Sequence, residues 1–313
     1  MKKSDKKEKL NNTESKPKKK ISKKSIIIYS SIGAPLIAGG IIAGILLGQS
    51  HFKVDAYGDL NANDVTEDYS QVYEAFKKAK PENYFTAFDG VELANISLLE
   101  LTEENDFYTL STGSVVAAGV KQSINSTYIK NGDKYFEESI TESSFVKGAN
   151  RFYETESSIN WHKGKYVSGT SGDYDGAKLT EYSKEDFEET WGKQLSRECI
   201  YIVTSQTCLE NSVTDNNDGT HTIELELDPT LSVLRYIKQM AMTGGLSQMP
   251  VFHKVNLKFT VDDNVKLLKF ETYEVYDVHM VIDANNSVGT LEQKFFYKER
   301  AIPKIDEPTN YNE

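Results

Sequence analysis

An α+β fold is what this sequence predicts: one large twisted antiparallel sheet, an incomplete β-barrel, covered by a few helices and preceded by one transmembrane helix. Three features carry the prediction. Alternating apolar and polar residues between Gly- and Asn-bearing turns recur over much of the chain after Tyr84, as in "TYIKNGDKYF" and "HTIELELD". Helical spacing is confined to three short stretches. A single uncharged run, Ile26–Gly48, interrupts an otherwise polar sequence.

That run comes first in the chain. Residues 1–24 hold eleven lysines and three acids, or +8, so a chain of net charge −11 carries −19 over the remainder. A helix of twenty-three uncharged residues, rising about 1.5 Å each, crosses a hydrocarbon core of about 30 Å. The lysine-rich flank marks the cytoplasmic side. The expected order is therefore a basic cytoplasmic tail (1–24), a transmembrane helix (25–48), a spacer (49–63), one extracytoplasmic domain (64–303) and a loose tail (304–313) at the cell membrane. A signal peptide cleaved after Ala56 is the competing reading, with Val54 and Ala56 at the −3 and −1 positions. Gly40, Gly44 and Gly48 fall on one helix face, where two copies could dimerise closely. The acidic bulk argues against nucleic acid as a partner.

Beyond the spacer, Val65, Tyr69, Val72, Tyr73 and Phe76 form a helical stripe ending near Pro81. From Tyr84 to about Gly169 the chain reads as strands, with hairpin turns at Asp89-Gly90, Asn131-Gly132 and Lys163-Gly164. Ser183, with Asp186 three residues on, opens a second helix. "HTIELELD" places Ile223, Leu225 and Leu227 on one face. Asp228 caps a third helix with Pro229 as its first residue, and Gly244-Gly245 ends it. A meander closes the domain. Val255, Leu257, Phe259 and Val261 point one way, a turn at Asp262–Asn264 follows, and Tyr276, Val278, Met280 and Ile282 share a face before "LEQKFFYKE".

Motifs for chemistry are sparse, and the expected class is not an enzyme. His51, His162, His221, His253 and His279 lack metal-ligand spacing and read as strand residues. "DNNDGTHTIEL" lacks the first and last ligands of a calcium loop and reads as an Asp218-Gly219 turn. Ser144 and Lys147 in "SFVK" have serine–lysine spacing without the companion motifs of penicillin-binding proteins. No cofactor and no metal are expected. Cys199 and Cys208 are the two cysteines; a disulfide between them needs a chain reversal, for which "TSQT" at Thr204–Thr207 is suitable.

Three of the five methionines crowd into "YIKQMAMTGGLSQMP". Methionine adapts to apolar partners of irregular shape, so this segment is either core or the entrance to an apolar site. The layout resembles the LolA-type lipoprotein-carrier superfamily, including LppX-type lipid carriers, over about residues 64–300. The likeness rests on the first helix running into "KAKPENYFTAF", on the many antiparallel strands, and on "DPTLSVLRYIKQM" followed by "LSQMPVFHKVNLKFTVDDNVKLLKFETYEVY". It implies a helix-covered half-barrel holding acyl chains in a dry cavity. A membrane helix where Gram-positive relatives often carry a lipidated cysteine favours a tethered role. The expected function is a membrane-tethered domain binding lipid or another apolar ligand through Leu234, Ile237, Met240, Met242, Leu246, Met249 and Phe252. The rival is a ligand-free interaction or sensory domain at the cell surface, with a filled core.

Overall fold

The computed structural model describes residues 61–144, 147–154, 158–164, 179–191, 200–243, 246, 248–279 and 283–297. The basic tail, the 25–48 span with Gly40, Gly44 and Gly48, the Ala56 cleavage position, and most of the spacer lie outside the described residues. So do Cys199, Gly244-Gly245, Met280, Ile282 and the 304–313 tail. Among the described residues no helix is long and apolar enough to cross a membrane.

A 3-10 turn (Ala62–Val65) leads to helix α1 (Ser70–Phe76), a second 3-10 turn (Pro81–Asn83), α2 (Tyr84–Ala87) and α3 (Gly90–Glu103). Strands β1 (Asp106–Ala117), β2 (Val120–Asn131), β3 (Lys134–Glu142), β4 (Lys147–Glu154), β5 (Ser158–Gly164) and β6 (Leu179–Ser183) follow. Then come α4 (Lys184–Trp191), β7 (Cys208–Asp215), β8 (Thr220–Leu227), α5 (Leu234–Thr243), β9 (Val251–Asp262), β10 (Leu267–His279) and β11 (Asp283–Tyr297). All eleven strands form one sheet, ordered β6-β5-β4-β3-β2-β1-β11-β10-β9-β8-β7. Two meanders, β1–β6 and β7–β11, thus step away from a central seam. There the first strand pairs antiparallel with the last, from Phe107↔Tyr297 to Val116↔Val288. The expected large antiparallel sheet with few helices is the architecture observed.

Local sequence explains the turns. Asn131 pairs with Lys134, so the two-residue turn is Gly132-Asp133, one position later than expected. Ala118 and Gly119, both at positive φ (48° and 77°), make the β1–β2 turn. The Asp262 carboxylate accepts from the Asn264 and Lys266 amides at 2.8 and 2.9 Å and shapes the β9–β10 turn. Ser183 caps α4 as expected, its Oγ accepting from the Asp186 amide at 3.0 Å.

Several expectations are corrected. Lys163-Gly164 is not a turn: both residues belong to β5, opposite Asn150 and Ala149 of β4. The stripe from Val65 to Phe76 is not one helix, since Val65 closes the first 3-10 turn and α1 begins at Ser70. "AFDGVEL" is not a hairpin: Asp89 caps α3, accepting from the Glu92 amide at 2.9 Å, while the Glu92 carboxylate accepts from the Asp89 amide at 3.0 Å. This reciprocal capping box opens a helix. Its apolar residues, including Val91, Leu93, Ala94, Ile96, Leu98, Leu99 and Leu101, are buried on nearly every side. The helix lies between α1 and the sheet, and its polar side (Glu92, Asn95, Thr102, Glu103) is interrupted by buried Ile96 and Leu99, which blurs the helical period. Gly90 brings the helix start close to β7. A Cβ there would lie 2.8 Å from Asn211 Oδ1 of β7, the atom that accepts from the Gly90 amide at 3.2 Å. A last correction concerns Asp228. It caps a turn, accepting from the Thr230 and Leu231 amides at 2.8 and 2.7 Å, and regular helix begins only at Leu234.

The core fills the sheet face under these helices. Ile223, Leu225, Leu227, Val255, Leu257, Phe259, Val261, Leu267 and Phe270 are all at most 2% exposed. Burying each such side chain stabilises the fold by roughly 1.5–3 kcal/mol.

Candidate binding surface

The other face of the sheet carries a trough of about 870 Å³. Its lining comes from β7, β8, β9, β10, β11, β1 and β2, seven neighbours in the sheet order, so the sheet curves toward this face. Strand alternation dictates the lining, because residues next to core positions point the opposite way. Two adjacent cross-strand rows form most of it. One runs Ser212, Glu224, Lys258, Glu271, Glu292, Thr112; the other runs Glu210, Glu226, Asn256, Tyr273, Thr290, Ser114, Ser123.

The lining holds five glutamates (210, 224, 226, 271, 292) and two lysines (121, 258), a net of −3. Glu271 faces Glu292, and Glu210 faces Glu226, directly across neighbouring strands; such like-charge pairs are unfavourable. Lysines offset part of this repulsion. Lys258 meets Glu224 at 3.2 Å, Lys269 meets Glu271 at 2.9 Å, and Lys294 meets Glu292 at 3.0 Å. Ser114 and Thr290 hydroxyls bond across the β1/β11 seam at 3.2 Å. Tyr273, 42% exposed, presents the one large ring of the lining.

The residues expected to bind an apolar ligand lie on the core side, not in this trough. Ile237, Leu246 and Phe252 are buried in the main core. Leu234 packs with Val65 and Ile202 in a small cluster of its own. Met240 and Met249 are half-buried against the main core. Met242 belongs to α5, and its side chain lies outside the described residues. Cys208 is a free thiol whose Sγ donates to the Glu210 carbonyl at 3.2 Å. Burial pushes this thiol up from its ordinary value. Among the described residues no group of three His, Cys, Asp or Glu side chains converges as a metal site.

A feature the sequence reading missed sits in the core beside α5. Glu274 of β10 is 0% exposed. Its carboxylate accepts from the Tyr201 hydroxyl and, at 3.5 Å, from the Tyr236 hydroxyl of α5. Burial, partly offset by these two hydroxyls, pushes the carboxyl up to about 7. Burial and the carboxylate's charge raise the phenols of Tyr201, Tyr236 and Tyr276. The sequence did hold a signal. Glu274 shares strand parity with Tyr276 and Val278, which were assigned to one apolar face.

No family model matches the sequence, and no curated protein matches it. Among solved structures, a DUF1329 family protein from Desulfovibrio piger is similar at 12% identity over 67% of this chain and 92% of that one, with a TM-score of 0.26. A structure described as an outer membrane lipoprotein-sorting protein domain, from Vibrio parahaemolyticus, is similar at 12% identity over 70% and 94%, also with a TM-score of 0.26. The second is consistent with the LolA-type resemblance, at a level that identifies no family and carries no functional argument.

Proposed function

We propose that this chain is a membrane-anchored extracytoplasmic binding domain, not an enzyme, and that it holds an extended polar ligand in the trough. The trough itself carries the reading. It is a large concavity formed by described residues, and its walls offer carboxylates, hydroxyls, amides and one exposed tyrosine ring. Such groups fix a polar chain by directed hydrogen bonds and would leave an alkyl tail against unsatisfied polar atoms. The anchor rests on the uncharged run Ile26–Gly48 and its lysine-rich flank.

A second reading, an apolar ligand beneath α5, is favoured by the half-buried Met240 and Met249 at the rim of the core. Native mass spectrometry of the full chain, released from detergent in the gas phase, separates the two. A copurified polar mass that is lost in a Glu226→Lys, Tyr273→Ala variant supports the trough. An alkyl-lipid adduct indifferent to those substitutions favours the second reading, and a bare mass counts against both.

A further inference from the structure

Glu274 joins three parts of the molecule at one buried point. From β10 its carboxyl meets the Tyr201 hydroxyl, delivered by the segment before β7, and the Tyr236 hydroxyl, delivered by α5. The two rings touch edge to face at 5.8 Å. Across the strands Glu274 faces Val255 of β9 and Gly289 of β11. A Cβ on Gly289 would lie 3.0 Å from Glu274 Oε2 and 3.4 Å from Tyr276 Cε1, so the missing side chain is what makes room for the carboxyl. The Ile202 amide donates to the Ser232 carbonyl at 2.8 Å, tying the Tyr201 segment to the turn that leads into α5.

The titratable groups facing this carboxyl are the phenols of Tyr201, Tyr236 and Tyr276. No cation among the described residues acts on it. Arg235, next to Tyr236, reaches Thr66 Oγ1 at 3.4 Å instead, and Lys238 of α5 is exposed.

We propose that Glu274, Tyr201 and Tyr236 form a proton-controlled latch that fastens α5 and the Tyr201 segment to the sheet. This device is independent of what the trough holds. Closed, the carboxyl is fully buried with two hydroxyl donors and no counter-charge among the described residues, so the neutral form is favoured. Lifting α5 removes Tyr236 and admits water, and the carboxyl then ionises at its ordinary value. Between 4.5 and about 7 the lifted state therefore sheds a proton that the closed state keeps. The closed state is favoured at low pH, and each pH unit across that window favours opening by up to about tenfold. Opening uncovers the aromatic strip beneath, where Tyr236 packs on Phe252 at 5.4 Å and Phe252 on Tyr276 at 5.0 Å.

Hydrogen exchange of the full chain at pH 5 to 8, corrected for intrinsic rates, reads the latch directly. Protection of the 234–243 peptide should fall on the order of 50- to 100-fold from pH 5 to 8. The 251–262 strand should keep its protection, and Glu274→Gln should abolish the fall. Tyr236→Phe removes one donor to the carboxylate, so the upper end of the window should move to higher pH; this variant decides the matter should Glu274→Gln fail to fold. Protection of 234–243 that ignores pH, that falls in step with 251–262, that still falls in Glu274→Gln, or whose window is unmoved in Tyr236→Phe overturns the latch.

Discussion

The two meanders of the sheet share strand geometry and a seam, yet their helix-facing surfaces differ in kind. One continuous row of cross-strand partners shows it. From the seam toward β7 it reads Phe270, Phe259, Ile223, Val213; from the seam toward β4 it reads Ser111, Ser126, Ser139, Asn150, with Gln293 of β11 between the halves. Phe259, Phe270 and Ile223 are 0% exposed, and so are Ser139 and Asn150. Equal burial thus stands for opposite energetics. The aromatic half gains from apolar area removed from water. The hydroxyl half includes Ser111 Oγ, Ser139 Oγ and Thr141 Oγ1 without a hydrogen-bond partner, and each such group costs about 1–3 kcal/mol. The β1–β4 half recovers some apolar packing on its other face, where Ile129, Phe136 and Tyr153 cluster beside Tyr108. Phe107, Ile124, Tyr128, Phe152 and Ile159 of the first meander join the same core, so β7–β11 with α3 supply the larger share of a scaffold that β1–β6 extend.

Phe259→Ala should cost roughly 3–5 kcal/mol in denaturant unfolding; a loss below 1 kcal/mol would remove the β7–β11 half from its scaffold role. The pH dependence of stability should be the next largest effect. A buried carboxyl raised from 4.5 to about 7 contributes stability that is whole below 4.5 and lost as pH rises to about 7, about 3 kcal/mol in all. Unfolding midpoints measured from pH 4.5 to 8 should show that decline in the parent chain and not in Glu274→Gln. On the hydroxyl side, Ser139→Ala with Thr141→Val should leave stability unchanged or raise it by about 1–2 kcal/mol. A loss would show that these hydroxyls do have partners in solution. Smallest is Asp89→Ala, which removes the cap of α3 and should lower stability by about 1 kcal/mol.

Much of the C-terminal meander was legible in the sequence because one of its faces is apolar. Val255, Leu257, Phe259 and Val261 alternate without interruption, and the alternation alone fixes which side is buried. The N-terminal meander hides its orientation, since Ser111, Ser126 and Ser139 look exposed by composition although they are not. Helix α3 is hard to read for another reason: Ile96 and Leu99 interrupt the polar side formed by Glu92, Asn95, Thr102 and Glu103, and the Asp89–Glu92 box is its clearer signal. The trough was not legible at all. Its residues are ordinary outward-facing Glu, Lys, Ser and Thr, and their convergence depends on curvature across seven strands, which no local pattern encodes. Glu274 could have been found, as a charge standing in register with apolar neighbours.

The core side of the sheet is filled by its own side chains, and the binding face proposed is the polar one. Titration of the full chain with a fluorescent fatty acid, with Met240→Asp as the paired variant, tests this most directly. No saturable uptake beyond that of detergent alone, and no difference between the two proteins, is expected. Stoichiometric uptake by the parent chain, abolished in Met240→Asp, would contradict it.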